Sequence, residues 1–130
     1  MITQKLINKC IDVARGIDIC DSIDRRTRHF AFILNKNKIL AIGKNSQKTH
    51  PILQNNKYGY GSWSKLHAET SAVIKSGEVD HSNNKLLTFR FDKSNNINIG
   101  KPCKYCQRLL KDSNFKEVIY STNNGKFLSL

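Results

Sequence analysis

The sequence predicts a three-layer α/β domain with the element order α-ββ-α-β-α-ββ, one unit over residues 1–130. Three observations carry this: a helical apolar period at the start, short apolar runs divided by turn residues, and two helical stretches alternating with them. Ile2, Leu6, Cys10, Ile11 and Val13–Ala14 recur at helical spacing, and Gly16 stands where a C-terminal cap belongs, so a first helix is expected over 2–15. FAFIL (30–34) and KILAIG (38–43) read as strands joined by the turn residues Asn35-Lys36-Asn37. Residues 44–65 form a long polar loop holding Pro51, Gly59, Gly61, Tyr58, Tyr60 and Trp63; loops of that length in small domains are functional or disordered. Leu66 to Ser76, closed by Gly77, is a second helix, and LLTFRF (86–91) a third strand. After the polar run 92–101, Pro102 suits the first position of a third helix over 102–111. KEVIYS (116–121), the turn Asn123-Asn124-Gly125 and KFLSL (126–130) make a closing hairpin.

A chain of 130 residues buries enough surface for one core and not for two. Its 38% apolar and 25% charged residues fit a folded globule rather than a disordered tail. The longest clean apolar run, Phe30 to Leu34, is far too short to span a bilayer. Residues 1–10 lack the apolar centre and small-residue cleavage site of a secretory signal, so a cytoplasmic protein without membrane contact is expected. Lys and Arg number 22 against 10 Asp and Glu, net +12; the first 24 residues carry −1 and the remainder +13. Such a field attracts phosphates and polyanions, while compositional drift toward Lys and Asn is the bland alternative. Four cysteines, two of them as Cys103-x-x-Cys106, suit metal or redox chemistry better than a disulfide scaffold.

His67-Ala68-Glu69 opens the second helix and Pro102-Cys103-Lys104-Tyr105-Cys106 the third. Cys103 and Cys106, three apart, share one face of a helix at its first turn, where the exposed N–H groups and positive dipole end favour thiolates. One imidazole and two thiolates make a tetrahedral zinc site with its fourth position open, the pattern of catalytic zinc. A closed structural site would need a fourth ligand, and Cys10, Cys20, His29, His50 and His81 show no matching spacing. Cys10 and Cys20 read as ordinary buried thiols, and His81 as a surface-loop residue. Glu69, two residues past His67, would face the open position and handle protons there.

His-Ala-Glu followed by Pro-Cys-x-x-Cys resembles the signature of the zinc-dependent cytidine deaminase superfamily. The resemblance implies a central mixed five-stranded sheet with helices on both faces and a C-terminal β-hairpin. It implies hydrolytic deamination of cytosine to uracil with Zn²⁺ held by His67, Cys103 and Cys106, and Glu69 as the catalytic acid–base. It also places the Ala68 backbone N–H on the base's carbonyl, and Pro102 beside the substrate. Asn45, after the second strand in IGKNSQ, stands where superfamily members present an Asn to the substrate's sugar or base; a turn-forming Asn is the bland reading. Free-cytidine deaminases typically carry Asn-x-Glu there, whereas this chain has Asn45-Ser46-Gln47 and so lacks a carboxylate that would repel phosphate.

The loops 24–29, 44–65 and 92–101 are expected at the site's mouth. They hold Arg25, Arg26, Arg28, Lys44, Lys48, Lys57, Lys65, Lys93 and Lys101 among Tyr58, Tyr60 and Trp63, a mixture that stacks bases and tracks a backbone. Arg28 and Trp63 are the expected contacts, against the alternative that loops are polar anyway and the aromatics pin one to the core. The expected substrate is cytosine in single-stranded DNA or RNA or in a nucleotide. Free cytidine, deoxycytidine or dCMP is the alternative, supported by the closing hairpin, with which nucleoside deaminases often end. A tRNA-type adenosine deaminase and a non-catalytic zinc module that binds nucleic acid stand further off; a purely structural site has no use for Glu69.

Overall fold

The computed structural model describes residues 2–20, 28–45 and 67–130. Helix α1 (Gln4–Cys20) starts where the Thr3 hydroxyl accepts the Leu6 N–H at 3.2 Å. It runs through Gly16 instead of ending there. A glycine inside a helix costs only about 1 kcal/mol relative to alanine, and Ile17, one residue on, still packs on the core, so burial carries the helix onward.

The expected hairpin is present as β1 (Arg28–Asn35) and β2 (Lys38–Lys44), antiparallel, with Lys36 at φ 54° in the turn. β3 (Lys85–Phe91) lies antiparallel to β1 and parallel to β5 (Glu117–Ser121), which pairs antiparallel with β6 (Phe127–Ser129). The sheet runs β2-β1-β3-β5-β6 and is mixed, but it has six strands, not five. The sixth, β4 (Ile97–Asn98), folds out of the polar run 92–101 and pairs with Phe91 and Arg90. β5 reaches only Lys85 to Thr88 along β3, so the end of β3 has unpaired backbone groups on that side, which β4 takes up. Two residues are too few to show a strand period.

Alternation along the strands sorts the core into two layers. Phe30, Phe32 and Leu34 of β1 and Leu87, Phe89 and Phe91 of β3 meet Leu6, Ile7, Cys10 and Ala14 of α1. Ala31, Ile33 and Leu86 face the other way, against Ala68 and Ala72 of α2 (Ala68–Ser76) and Leu110 of α3 (Lys104–Asp112). The first face is thick with rings, Phe32 and Phe89 stacking at 5.7 Å. On the second, α2 comes so close to β2 that a Cβ on Gly43 would lie 2.1 Å from the Ala68 carbonyl oxygen.

His81 is not a surface-loop residue. It is wholly buried, stacked on Phe115 at 4.4 Å between ring centroids, with its Nδ1 3.0 Å from the Asn84 side-chain amide. An imidazole offers an apolar face and polar edges, so a polar sequence neighbourhood does not keep it in water. Cys10 is a buried thiol as expected, its pKa pushed up to about 11 by burial; the side chain of Cys20 lies outside the described residues. Among the described residues no helix is long and apolar enough to cross a membrane.

Candidate active site

The N-terminal ends of α2 and α3 meet over the small-residue face of the sheet. His67 is the N-cap of α2, with extended backbone, but its side chain makes no capping bond; the ring turns instead toward the two cysteines. Gly77 closes the same helix at φ 70°. Cys103 is the N-cap of α3, its sulfur accepting the Cys106 N–H at 3.4 Å. That thiol cap sets the start of the helix, so Pro102 precedes the cap rather than filling the first helical position. Pro102 is buried, and its carbonyl accepts the Gln107 side-chain amide at 2.8 Å.

His67 Nδ1 lies 3.6 Å from Cys103 Sγ and 3.3 Å from Cys106 Sγ, and the three ligand atoms all fall within 4.8 Å of one another. A tetrahedral zinc with Zn–S about 2.3 Å and Zn–N about 2.0 Å sets a nitrogen and a sulfur ligand roughly 3.6 Å apart. The spacing and the donor set therefore fit that ion, and this group could hold a metal. Electrostatics point the same way. Cys103 is lowered to about 3, first by its hydrogen bond with Cys106 and further by His67, so its sulfur is a thiolate, the form that ligates. His67 is held above the ordinary imidazole range, chiefly by its hydrogen bond to Cys103. The Thr70 hydroxyl stands 3.9 Å from Cys106 Sγ, a supporting contact behind the ligand.

Glu69 lies two residues along α2 and is 1% exposed. A carboxylate so deeply buried needs partners. The Thr88 hydroxyl donates to its Oε1 at 3.2 Å, and His29 Nε2 stands 3.0 Å from the same oxygen. Neither residue was singled out from the sequence as functional. The available signal is period two: His29 shares the face of Ala31 and Ile33, and Thr88 the face of Leu86, all toward α2. Strand pairing, which brings those two positions side by side, is not written in either strand.

The other expected contacts divide. Ala68 is fully buried at the first turn of α2, where a backbone N–H has no acceptor within the helix. Asn45 sits at the end of β2 and clasps β1, its Oδ1 accepting the His29 N–H at 3.0 Å and its own N–H reaching the His29 carbonyl at 3.3 Å. Arg28 does not present its charge at a mouth. It is 2% exposed and its guanidinium donates to Asn95 Oδ1 at 2.7 Å and to the Asp92 carbonyl, tying down the turn before β4. A strand-end arginine beside this turn is drawn in by its carbonyl and amide oxygens. Trp63, with Arg25, Arg26, Lys48, Lys57, Lys65, Tyr58 and Tyr60, lies outside the described residues.

No protein-family model and no curated protein matches the chain. Among solved structures it is similar to the dCMP deaminase from the cyanophage S-TIM5, crystallised in complex with dCMP and dUMP. The identity is 19% and the TM-score 0.57, over 91% of this chain and 82% of that one. The mixed six-stranded sheet, with helices on both of its faces, is thus a cytidine-deaminase-like fold, carrying a His-Cys-Cys group able to hold a metal ion.

Proposed function

We propose that this protein, as one catalytic domain over residues 1–130, hydrolytically deaminates the cytosine of a nucleotide to uracil, with Zn²⁺ as its cofactor. The observation that carries this reading is the meeting of His67, Cys103 and Cys106 beside a buried acid, Glu69, at two helix N-termini of a deaminase-like fold. His67, Cys103 and Cys106 would hold the ion, which when bound supplies a Lewis acid that lowers the pKa of a water. Glu69 takes a proton from that water and gives one to the ring nitrogen N3, making C4 electrophilic. The water oxygen bonds to C4, and Glu69 takes its remaining proton and delivers it to the amine as the C4–N bond breaks. One water enters, one ammonia leaves, and Glu69 ends with the charge it began with. The Ala68 N–H binds the carbonyl of the base, Asn45 and Pro102 flank the substrate, and Trp63 stacks on it.

A second reading, cytosine within single-stranded DNA or RNA, is favoured by the net charge of +12. The test is ammonia release by the zinc-loaded protein from cytidine, deoxycytidine, dCMP, single-stranded DNA and RNA. Turnover of dCMP well above the nucleosides supports a nucleotide substrate, and turnover of strands above dCMP supports the second reading. Cytidine as the best substrate overturns both, and no ammonia from any of the five overturns the deaminase reading itself.

A further inference from the structure

Two polar side chains that meet Glu69, the buried Thr88 and the partly buried His29, have no place in the chemistry so far. His29 and Thr88 come from neighbouring antiparallel strands, in a register that sets Thr88 opposite Ala31 and His29 opposite Arg90. They face the same side of the sheet as Ala31, and both meet Glu69. We propose that His29 and Thr88 are positioning residues that clamp one oxygen of the Glu69 carboxylate, leaving the other oxygen to carry the proton transfers; this rests on the deaminase reading above.

Both contacts fall on Oε1, at 3.0 Å from His29 Nε2 and 3.2 Å from Thr88 Oγ1. His29 Nε2 is also 2.5 Å from Thr88 Oγ1, so the three atoms form a closed triangle. Counting protons fixes the donors. A carboxylate only accepts, and the single hydroxyl proton of Thr88 is spent on Oε1. The imidazole nitrogen in the triangle must then carry its own proton, directed at two oxygen acceptors, which assigns the Nε2–H form to His29. The clamp stands on rigid ground, since the His29 backbone is held on its other side by Asn45, at 3.0 Å and 3.3 Å. Two bonds to one oxygen resist rotation about the Cγ–Cδ bond, so Oε1 stays with the clamp and Oε2 is the oxygen left for the reaction. Removing the clamp leaves zinc and substrate binding in place and degrades the proton transfers, so the loss falls on kcat and not on KM.

The experiment compares wild type with His29→Leu, which removes the donor, His29→Gln, which keeps an N–H at a similar reach, and Thr88→Val, which deletes only the hydroxyl. His29→Leu is expected to lower kcat on dCMP on the order of 10–100-fold, with KM and zinc content unchanged. His29→Gln recovers most of that loss, and Thr88→Val lowers kcat in the same direction. Nitrogen NMR of histidine-labelled wild type gives a readout independent of turnover: His29 protonated on Nε2, its resonance moving in Glu69→Gln. Wild-type kcat in zinc-loaded His29→Leu overturns the proposal, as does a His29 Nε2 without a proton. Should His29→Leu not fold, Thr88→Val and the wild-type spectrum decide. Zinc-loaded wild type that releases no ammonia from any of the five substrates refutes the deaminase reading and the catalytic role with it, while the spectrum still decides the bond.

Discussion

Replacing Gly43 by alanine tests how the site is held in place. The new Cβ would stand 2.1 Å from the Ala68 carbonyl oxygen, 2.4 Å from the Ala72 nitrogen and 2.9 Å from the Ala72 Cα. All three are backbone atoms, so no rotamer change relieves the overlap. Such contacts do not occur below 3.0 Å, so α2 and β2 must part by about 0.9 Å. α2 carries His67 and Glu69, while Cys103 and Cys106 sit on α3, so the displacement opens the 3.3 Å and 3.6 Å spacings of the ligand cluster. Overpacking costs about 1–3 kcal/mol, and a backbone clash belongs at the upper end. A misplacement near 1 Å can cost about 100-fold in catalysis. Urea unfolding and competition with a zinc chelator measure both effects, and zinc affinity should fall at least about tenfold. Gly16→Ala is the internal control. It adds a Cβ with nothing within 4 Å inside a helix, so it should stabilise by about 0.5–1 kcal/mol. Gly43→Ala with wild-type stability and zinc affinity would refute the argument that close helix–strand approach sets the ligand geometry.

Glu69→Ala should keep zinc and fold yet lose on the order of 10²–10⁴ in deamination rate, read by ammonia release, because the ligands remain and the proton carrier does not. His67→Ala should lose both stoichiometric zinc, by metal analysis, and thermal stability, since metal binding is coupled to folding. His81→Ala should cost about 1–3 kcal/mol in urea unfolding by taking one of the two acceptors of the Asn84 amide and emptying the ring's slot on Phe115, with zinc content unchanged. Cys10 gives a pH signature. Burial raises its thiol from 9.0 to about 11, so the native state keeps a proton that the unfolded chain has lost. Its contribution is whole below pH 9 and lost as pH rises through 11, and the urea midpoint should fall less steeply across that window in Cys10→Ala than in wild type.

The trio that could hold a metal, and the acid beside it, were legible because they lie at helix starts with short spacing: Cys103 and Cys106 share a turn, and His67 and Glu69 share another. Gly77 was legible as a stop because a φ of 70° suits glycine. The sheet was legible up to β4, whose two residues show no period. Where local signals were followed too literally they failed. Gly16 lies inside α1 because continued burial outweighs a small helix penalty, Pro102 lies outside α3 because Cys103 caps it, and Arg28 is drawn inward by the 92–95 turn.

The sequence by itself determined the order of the helices and of the five longer strands, and it marked out His67, Glu69, Cys103 and Cys106, since each follows from spacings of two to four residues along one element. Only the tertiary structure decided what those residues lean on. His29 and Thr88 are 59 residues apart, and they meet at Glu69 through the register of β1 with β3. His81 finds Phe115 only when the ends of α2 and α3 are brought together. Local pattern encodes which face a side chain takes, whereas the partner on that face is chosen by strand pairing and helix docking, whose free energies are shared among many residues and readable from none of them alone.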